Sequence, residues 1–169
     1  MNTRVVRWVV QGILLLGLAA AGCATFGPPG DSFSIAAEAQ YGDPARRAST
    51  RLLLRGLKAD ESWHFREAVV LYERALQVDP TNPWAYLCRA RFEVAQGDPE
   101  RALDYLDKVE ALLPSEPGAA GARAHLAGLR GTALAILGYT SRAEPLLAAA
   151  KRGAPRKWAD GQLDASELQ

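Results

Sequence analysis

The sequence predicts an all-α chain, a short α-solenoid of three stacked helix pairs, from three observations. The first is a recurring skeleton. Ala102, Leu106, Val109 and Pro114 stand 4, 3 and 5 residues apart, and Ala68, Tyr72, Ala75 and Pro80 repeat those separations 34 residues earlier. Ala143, Leu147, Ala150 and Pro155 repeat them again, displaced by 41 residues, which is the same period plus an insertion of 7. A period of this size marks a repeat architecture. The second observation is the residue order within each copy: a small residue for close helix packing, larger apolar residues one turn on along the same face, then a proline stop. The third is the set of helix starts at Asp43-Pro44, Asn82-Pro83 and Asp98-Pro99, each a capping side chain before a first-turn proline.

The elements follow in order from the N-terminus. Arg4 and Arg7 precede an apolar run over residues 8–21, and small residues lead into Cys23. This order reads as an export signal over residues 1–22. The run is short for a bilayer span, which takes about 20 apolar residues, although an uncleaved anchor helix stays open. Leu18-Ala-Ala-Ala-Gly-Cys23 resembles a bacterial lipoprotein signal, which implies that Cys23 is acylated, with palmitate among the chains, and becomes the first mature residue. Ala24 stands where the inner-membrane retention pattern has Asp. The resemblance therefore implies an outer-membrane lipoprotein facing the periplasm, with an inner-membrane anchor as the alternative.

Residues 23–42 then read as the lipidated N-terminus and a flexible tether, because Gly27-Pro-Pro-Gly30 interrupts regular structure. A flexible chain of about 20 residues spans roughly 25 Å. Within it Ser34 to Tyr41 has the composition of a short helical turn, and Phe26 and Phe33 are linker hydrophobes that dock on the domain, with partner contacts as the alternative. Removing the leader leaves 18 basic against 19 acidic residues, so nothing in the charge recruits nucleic acid.

The repeat domain spans 43–157. Its first pair carries Leu53, Leu54 and Leu57 on one helix with Arg46, Arg47, Arg51 and Arg55, read as a solvated face, and the turn at Trp63-His64-Phe65 leads into the second helix. In the second pair Trp84, Leu87 and Arg91 lie at intervals of 3 and 4, one helical face, which fits either the core or an exposed lining. Near 117–123 the insertion of 7 residues adds almost two helical turns, which preserves helical phase. Gly121, Ala124, Gly128, Gly131, Ala135 and Gly138 then draw a small-residue stripe along a helix over about 116–138, open to close approach by another backbone. A loop through 115–123 is the alternative there. The last pair stops at Gly153-Ala-Pro155, and 158–169 forms a polar tail whose Trp158, Leu163 and Leu168 are placed to cap the last helix.

These units, at about 49–82, 83–116 and 124–157, resemble tetratricopeptide repeats. The second-helix pattern and the Asp79-Pro80-Thr81-Asn82 junction match that family, whereas its first-helix leucine is Arg55, Arg89 and Arg130 here. In that family the concave surface comes from the first helix of each pair. The resemblance therefore implies a protein-binding groove of Leu53, Leu57, Trp84, Leu87 and Arg91. Relatives that clamp a peptide carboxylate use Lys, Asn and Arg, but the matching positions are Leu53, Leu57, Cys88, Gly128 and Thr132, so an amphipathic helix bound through its apolar side chains is the expected ligand.

Catalytic chemistry is not expected: there are two histidines, no phosphate loop, no His-Glu-x-x-His and no nucleophile motif. No metal site and no cofactor beyond the Cys23 lipid are expected, and Cys88 reads as a packing residue. The resulting expectation is a membrane-anchored adaptor or assembly factor of the bacterial envelope, binding a protein segment. The alternative is a structural protein that self-associates through the small-residue stripe.

Overall fold

The computed structural model describes residues 28–169. Two short helices, α1 (Pro29–Ser32) and α2 (Ile35–Glu38), precede six long ones: α3 (Pro44–Glu61), α4 (Phe65–Val78), α5 (Pro83–Gln96), α6 (Pro99–Leu112), α7 (Ala119–Ile136) and α8 (Thr140–Gly153). One 3-10 turn follows α6 at Leu113–Ser115 and another closes the chain at Ser166–Leu168. Among the described residues there is no strand. The long helices pack as α3 with α4, α5 with α6 and α7 with α8, with α3, α5 and α7 forming the inner layer.

The helix starts form where a cap precedes proline. Asp43 accepts from the Arg46 N–H at 2.8 Å, Asn82 from the Trp84 N–H at 3.1 Å and Asp98 from the Arg101 N–H at 3.2 Å. Each removes an orphan donor that the first turn cannot satisfy itself. Ala68, Ala102 and Ala143 are essentially inaccessible, as expected where paired helices approach closely. Asn82 also donates to Ser49 Oγ at 2.9 Å, and Arg46 Nε reaches Asp79 at 2.5 Å, so the Asp79-to-Asn82 junction is bonded back to α3.

The three turns joining inner to outer helices share one geometry. The N–H groups of His64, Asp98 and Tyr139 bond the carbonyls of Ala59, Glu93 and Leu134, five residues back, at 2.8, 2.9 and 2.9 Å. This six-to-one bond requires a left-handed residue just past the helix end. Gly97 (φ 79°) and Gly138 (φ 83°) fill that position in the second and third pairs, and Trp63 (φ 63°) fills it in the first.

Two expectations are corrected by the ends of the domain. The flexible tether does not extend to residue 42: α1 packs on α7 and α8, α2 packs on α3, and Phe33 and Ile35 are buried in the core. Burying two large apolar side chains, at about 1.5–3 kcal/mol each, favours docking over a solvated linker. The tail does not cap the last helix alone. Trp158 lies on Gly128 of α7, and the Ser166–Leu168 turn reaches α3, so 158–168 runs across the inner layer from the third pair to the first.

The insertion gives α7 four residues more than α5, beginning at Ala119 after a non-helical Glu116–Gly118 link. Its small-residue stripe is occupied from Gly121 to Gly131, while Ala135 and Gly138 stay exposed. A Cβ on Gly121 would meet Phe33, one on Gly128 the Trp158 ring and one on Gly131 the Leu147 side chain, each within 3 Å.

Candidate interaction surface

The inner layer of α3, α5 and α7 is where a repeat stack of this kind carries its groove, and here the chain itself fills it. Leu53, Leu57, Trp84 and Leu87 have 0–1% exposure and Arg91 has 5%. The groove expected from these five residues is therefore core. The physical reason is that both flanking segments lie over it. Phe33 packs on Trp84, with ring centroids 5.1 Å apart, and on His125, at 5.5 Å. Trp158 and Leu168 are buried on the same side.

Arg91 is held by an ion pair with Asp60 of α3, and Asp60 also accepts from the Tyr72 hydroxyl at 3.1 Å. Burial of a carboxylate and a guanidinium is tolerable only when they are paired in this way. Burial first, and the Asp60 carboxylate among the further causes, push the Tyr72 hydroxyl far above its ordinary range. Cys88 is fully buried and burial pushes its thiol up to about 12, so it is a packing residue and a poor nucleophile. Of the clamp positions, Gly128 is covered by Trp158 and the Thr132 hydroxyl donates to the Gly128 carbonyl at 3.0 Å. Cys23 and Phe26 lie outside the described residues.

The arginines at the first-helix leucine position have three fates. Arg55 is exposed. Arg89 is buried, paired with Glu93 and flanked by the rings of Phe92 and Tyr105 at 5.5 and 5.4 Å. Arg130 reaches Asp107 and Glu110 of α6 at 2.9 Å each. At Arg89 the planar face packs on the rings while Nη2 alone bonds, Nε and Nη1 being buried without a partner.

What stays open lies along the lip where the inner helices end. A cleft of about 330 Å³ is lined by Asp60, Glu61, Trp63, Phe65, Arg91 and the Asp164–Ser166 segment of the tail. It adjoins a second of about 340 Å³ between Val94, Thr132, Ile136, Trp158 and Leu163. Around the corner, Phe65, Val69, Val70 and Phe92 form a shallow apolar depression. Trp63 stands between the first cleft and this depression, 79% exposed, its ring 5.7 Å from Phe65.

Trp63 was not singled out from sequence, although the signal was present: the 34-residue shift carries it onto Gly97, and the 41-residue shift carries Gly97 onto Gly138. A left-handed conformation costs a non-glycine residue about 1–2 kcal/mol. The fold gains little in return, since the indole is mostly in water. A bulky aromatic kept at a glycine position, outside the core, points to a role outside the fold.

Among the described residues, no helix is long and apolar enough to cross a membrane, and no three His, Cys, Asp or Glu side chains are placed to hold a metal. The fold defines the class as an all-α repeat solenoid, an architecture that presents extended surface for contact. Residues 64–127, from the start of α4 into α7, match the tetratricopeptide repeat family model, which supports a tetratricopeptide repeat protein with a role in protein–protein interaction. Comparisons with curated proteins and with solved structures found no match.

Proposed function

We propose that the protein is a membrane-anchored adaptor or assembly factor of the bacterial envelope, tethered through a lipid on Cys23, that binds a partner protein along the lip around Trp63. The observation that carries the contact surface is Trp63 itself: an exposed indole in a left-handed turn position that its two sister repeats give to glycine. Trp is enriched among interface hot spots, and the neighbouring Phe65, Val69, Val70 and Phe92 supply the apolar surround that excludes water when a partner docks. The ligand class expected from sequence, an apolar face, is kept; its site moves from the inner layer to this lip. The anchor rests on the order of charged, apolar and small residues before Cys23.

Self-association would have to use the exposed end of the small-residue stripe at Ala135 and Gly138, because Gly121, Gly128 and Gly131 are packed against the chain's own segments. Photo-crosslinking tests the reading. A photoreactive residue at position 63, in intact envelope, is expected to give one discrete heterologous adduct, and the same group at Glu73 is expected to give none. Adducts only with a second copy would favour the self-associating alternative, and no adduct at 63 would remove the lip as the contact surface. Intact mass and membrane fractionation test the anchor: a soluble product, or an unmodified Cys23, contradicts it.

A further inference from the structure

The charges of this chain are segregated by repeat, and the segregation coincides with the point where the chain leaves the domain. Residues 117–159 hold seven Lys and Arg against one carboxylate, Glu144, a net +6. The remainder from Cys23 onward holds 11 basic and 18 acidic residues, a net −7. Within the basic third pair, Arg130 is neutralised by Asp107 and Glu110, and Arg142 lies over the Tyr139 ring. Arg123, Lys151, Arg152 and Arg156 are exposed, and none is in an ion pair among the described residues.

Arg123, Arg152 and Arg156 adjoin or make contacts with the docked start of α1, and Lys151 is next to Arg152 on α8. Gly30 sits against Ala124, Gly153 and Ala154, so Arg123 and Arg152 are sequence neighbours of its contacts. The Arg156 N–H donates to Asp31 at 2.9 Å, which pins the same spot. Cys23 is five residues from Pro28, and five residues span at most about 18 Å. A chain anchored at Cys23 therefore holds this corner of the third pair within a short leash of the bilayer. The apolar lip at Trp63 belongs to the first pair, at the other end of the stack.

The geometry points to a second, electrostatic membrane contact: the Arg123, Lys151, Arg152 and Arg156 patch rests on anionic phospholipid headgroups, which orients the repeats with the Trp63 end away from the surface. This rests on the anchor proposed above. Clustered basic side chains beside a membrane attachment point each add about fivefold to surface affinity, an effect that fades beyond the screening length of about 10 Å. A leash of at most about 18 Å lets the patch come within that reach.

The test uses the full chain reconstituted into vesicles of phosphatidylethanolamine alone or with one third phosphatidylglycerol. A fluorophore is attached at Ala148→Cys, one turn before Lys151 and Arg152 and exposed, or at Glu73→Cys on α4 as the distant control; the quencher is carried on the lipid. Phosphatidylglycerol is expected to raise quenching at 148 severalfold in 0.1 M salt and not at 73. The rise should vanish at 0.5 M salt and in the Lys151→Glu/Arg152→Glu/Arg156→Glu variant. Equal quenching in both vesicles, or a rise untouched by salt and by charge reversal, overturns the proposal. The salt and lipid arms need no variant, so a misfolded triple variant does not blunt the test. If the wild-type chain is not retained on neutral vesicles, the anchor reading fails separately. Flotation with phosphatidylglycerol vesicles then decides the patch: salt-sensitive flotation supports it, and none overturns it. A protein adduct from a photoreactive residue at 148, with no lipid dependence, assigns the patch to an acidic protein and overturns the lipid reading.

Discussion

The Trp158 indole N–H donates to Nδ1 of His125 at 3.1 Å, while Nε2 of the same ring donates to the Gly30 carbonyl at 3.0 Å. One buried imidazole thus joins the segment before the repeats, the inner helix of the third pair and the tail after it. Accepting at Nδ1 and donating at Nε2 fixes a neutral tautomer. Both bonds fit only that form, because a protonated ring has no acceptor for the indole.

Acid should therefore loosen this junction. Burial first, and the Lys157 charge second, hold His125 down at about 4, against 6.5 when unfolded. The unfolded chain then binds the proton before the folded one does, so the contribution is complete above about pH 6.5 and is lost as pH falls towards 4. The loss is up to about 3 kcal/mol. Glu38, raised by burial and then by Glu116, acts in the opposite direction, so the measurement is a difference: urea unfolding at pH 7 and pH 5 in wild type and His125→Gln. Wild type should lose more stability on acidification, and equal losses contradict the assignment.

Gly128→Ala should strike the tail. A Cβ there would lie 2.1 Å from the Trp158 ring, so the ring or α7 must shift. Overpacking of this kind costs about 1–3 kcal/mol. Denaturant midpoints check the size of the loss, and a fall in Trp158 burial should accompany it in fluorescence quenching.

Trp84→Ala is expected to damage the fold. As a groove residue Trp84 could be truncated with only a binding penalty, but it is 1% exposed beneath Phe33. Large-to-small changes at such sites cost about 3–5 kcal/mol. A thermal midpoint close to wild type would put Trp84 back on a surface.

Trp63→Gly should behave in the opposite way. Relief of the left-handed backbone, about 1–2 kcal/mol, exceeds or balances the lost contact with Phe65, worth about 0.5–1.5 kcal/mol. The variant should match or exceed wild type in stability while no longer co-purifying with the partner that wild type retains. A clear drop in stability would mean that the indole serves the fold.

The repeat skeleton was legible in the sequence because helices write their packing at fixed intervals, as Ala68, Ala102 and Ala143 show. The cover over the inner layer was legible only in part: Phe33, Trp158 and Leu168 read as docking or capping hydrophobes, but their short or irregular segments have no period that places them on the inner helices. Amphipathic spacing placed Trp84, Leu87 and Arg91 on one face, and that face is equally consistent with core and groove. Only the docking of distant segments decides between them. Arg89 was illegible for a similar reason, since its burial depends on Glu93 and two aromatic rings gathered around it. The lip at Trp63 was legible by comparing the three turns.

The central claim, that the chain's own ends fill its inner layer and leave Trp63 as the open contact, is tested most directly by hydrogen exchange at the tryptophan indoles. The Trp158 indole N–H, buried and bonded to His125, should exchange orders of magnitude more slowly than that of Trp63, which is 79% exposed. Trp158 exchanging as fast as Trp63 would mean that the tail does not cover α7 and that the inner groove is free for a partner.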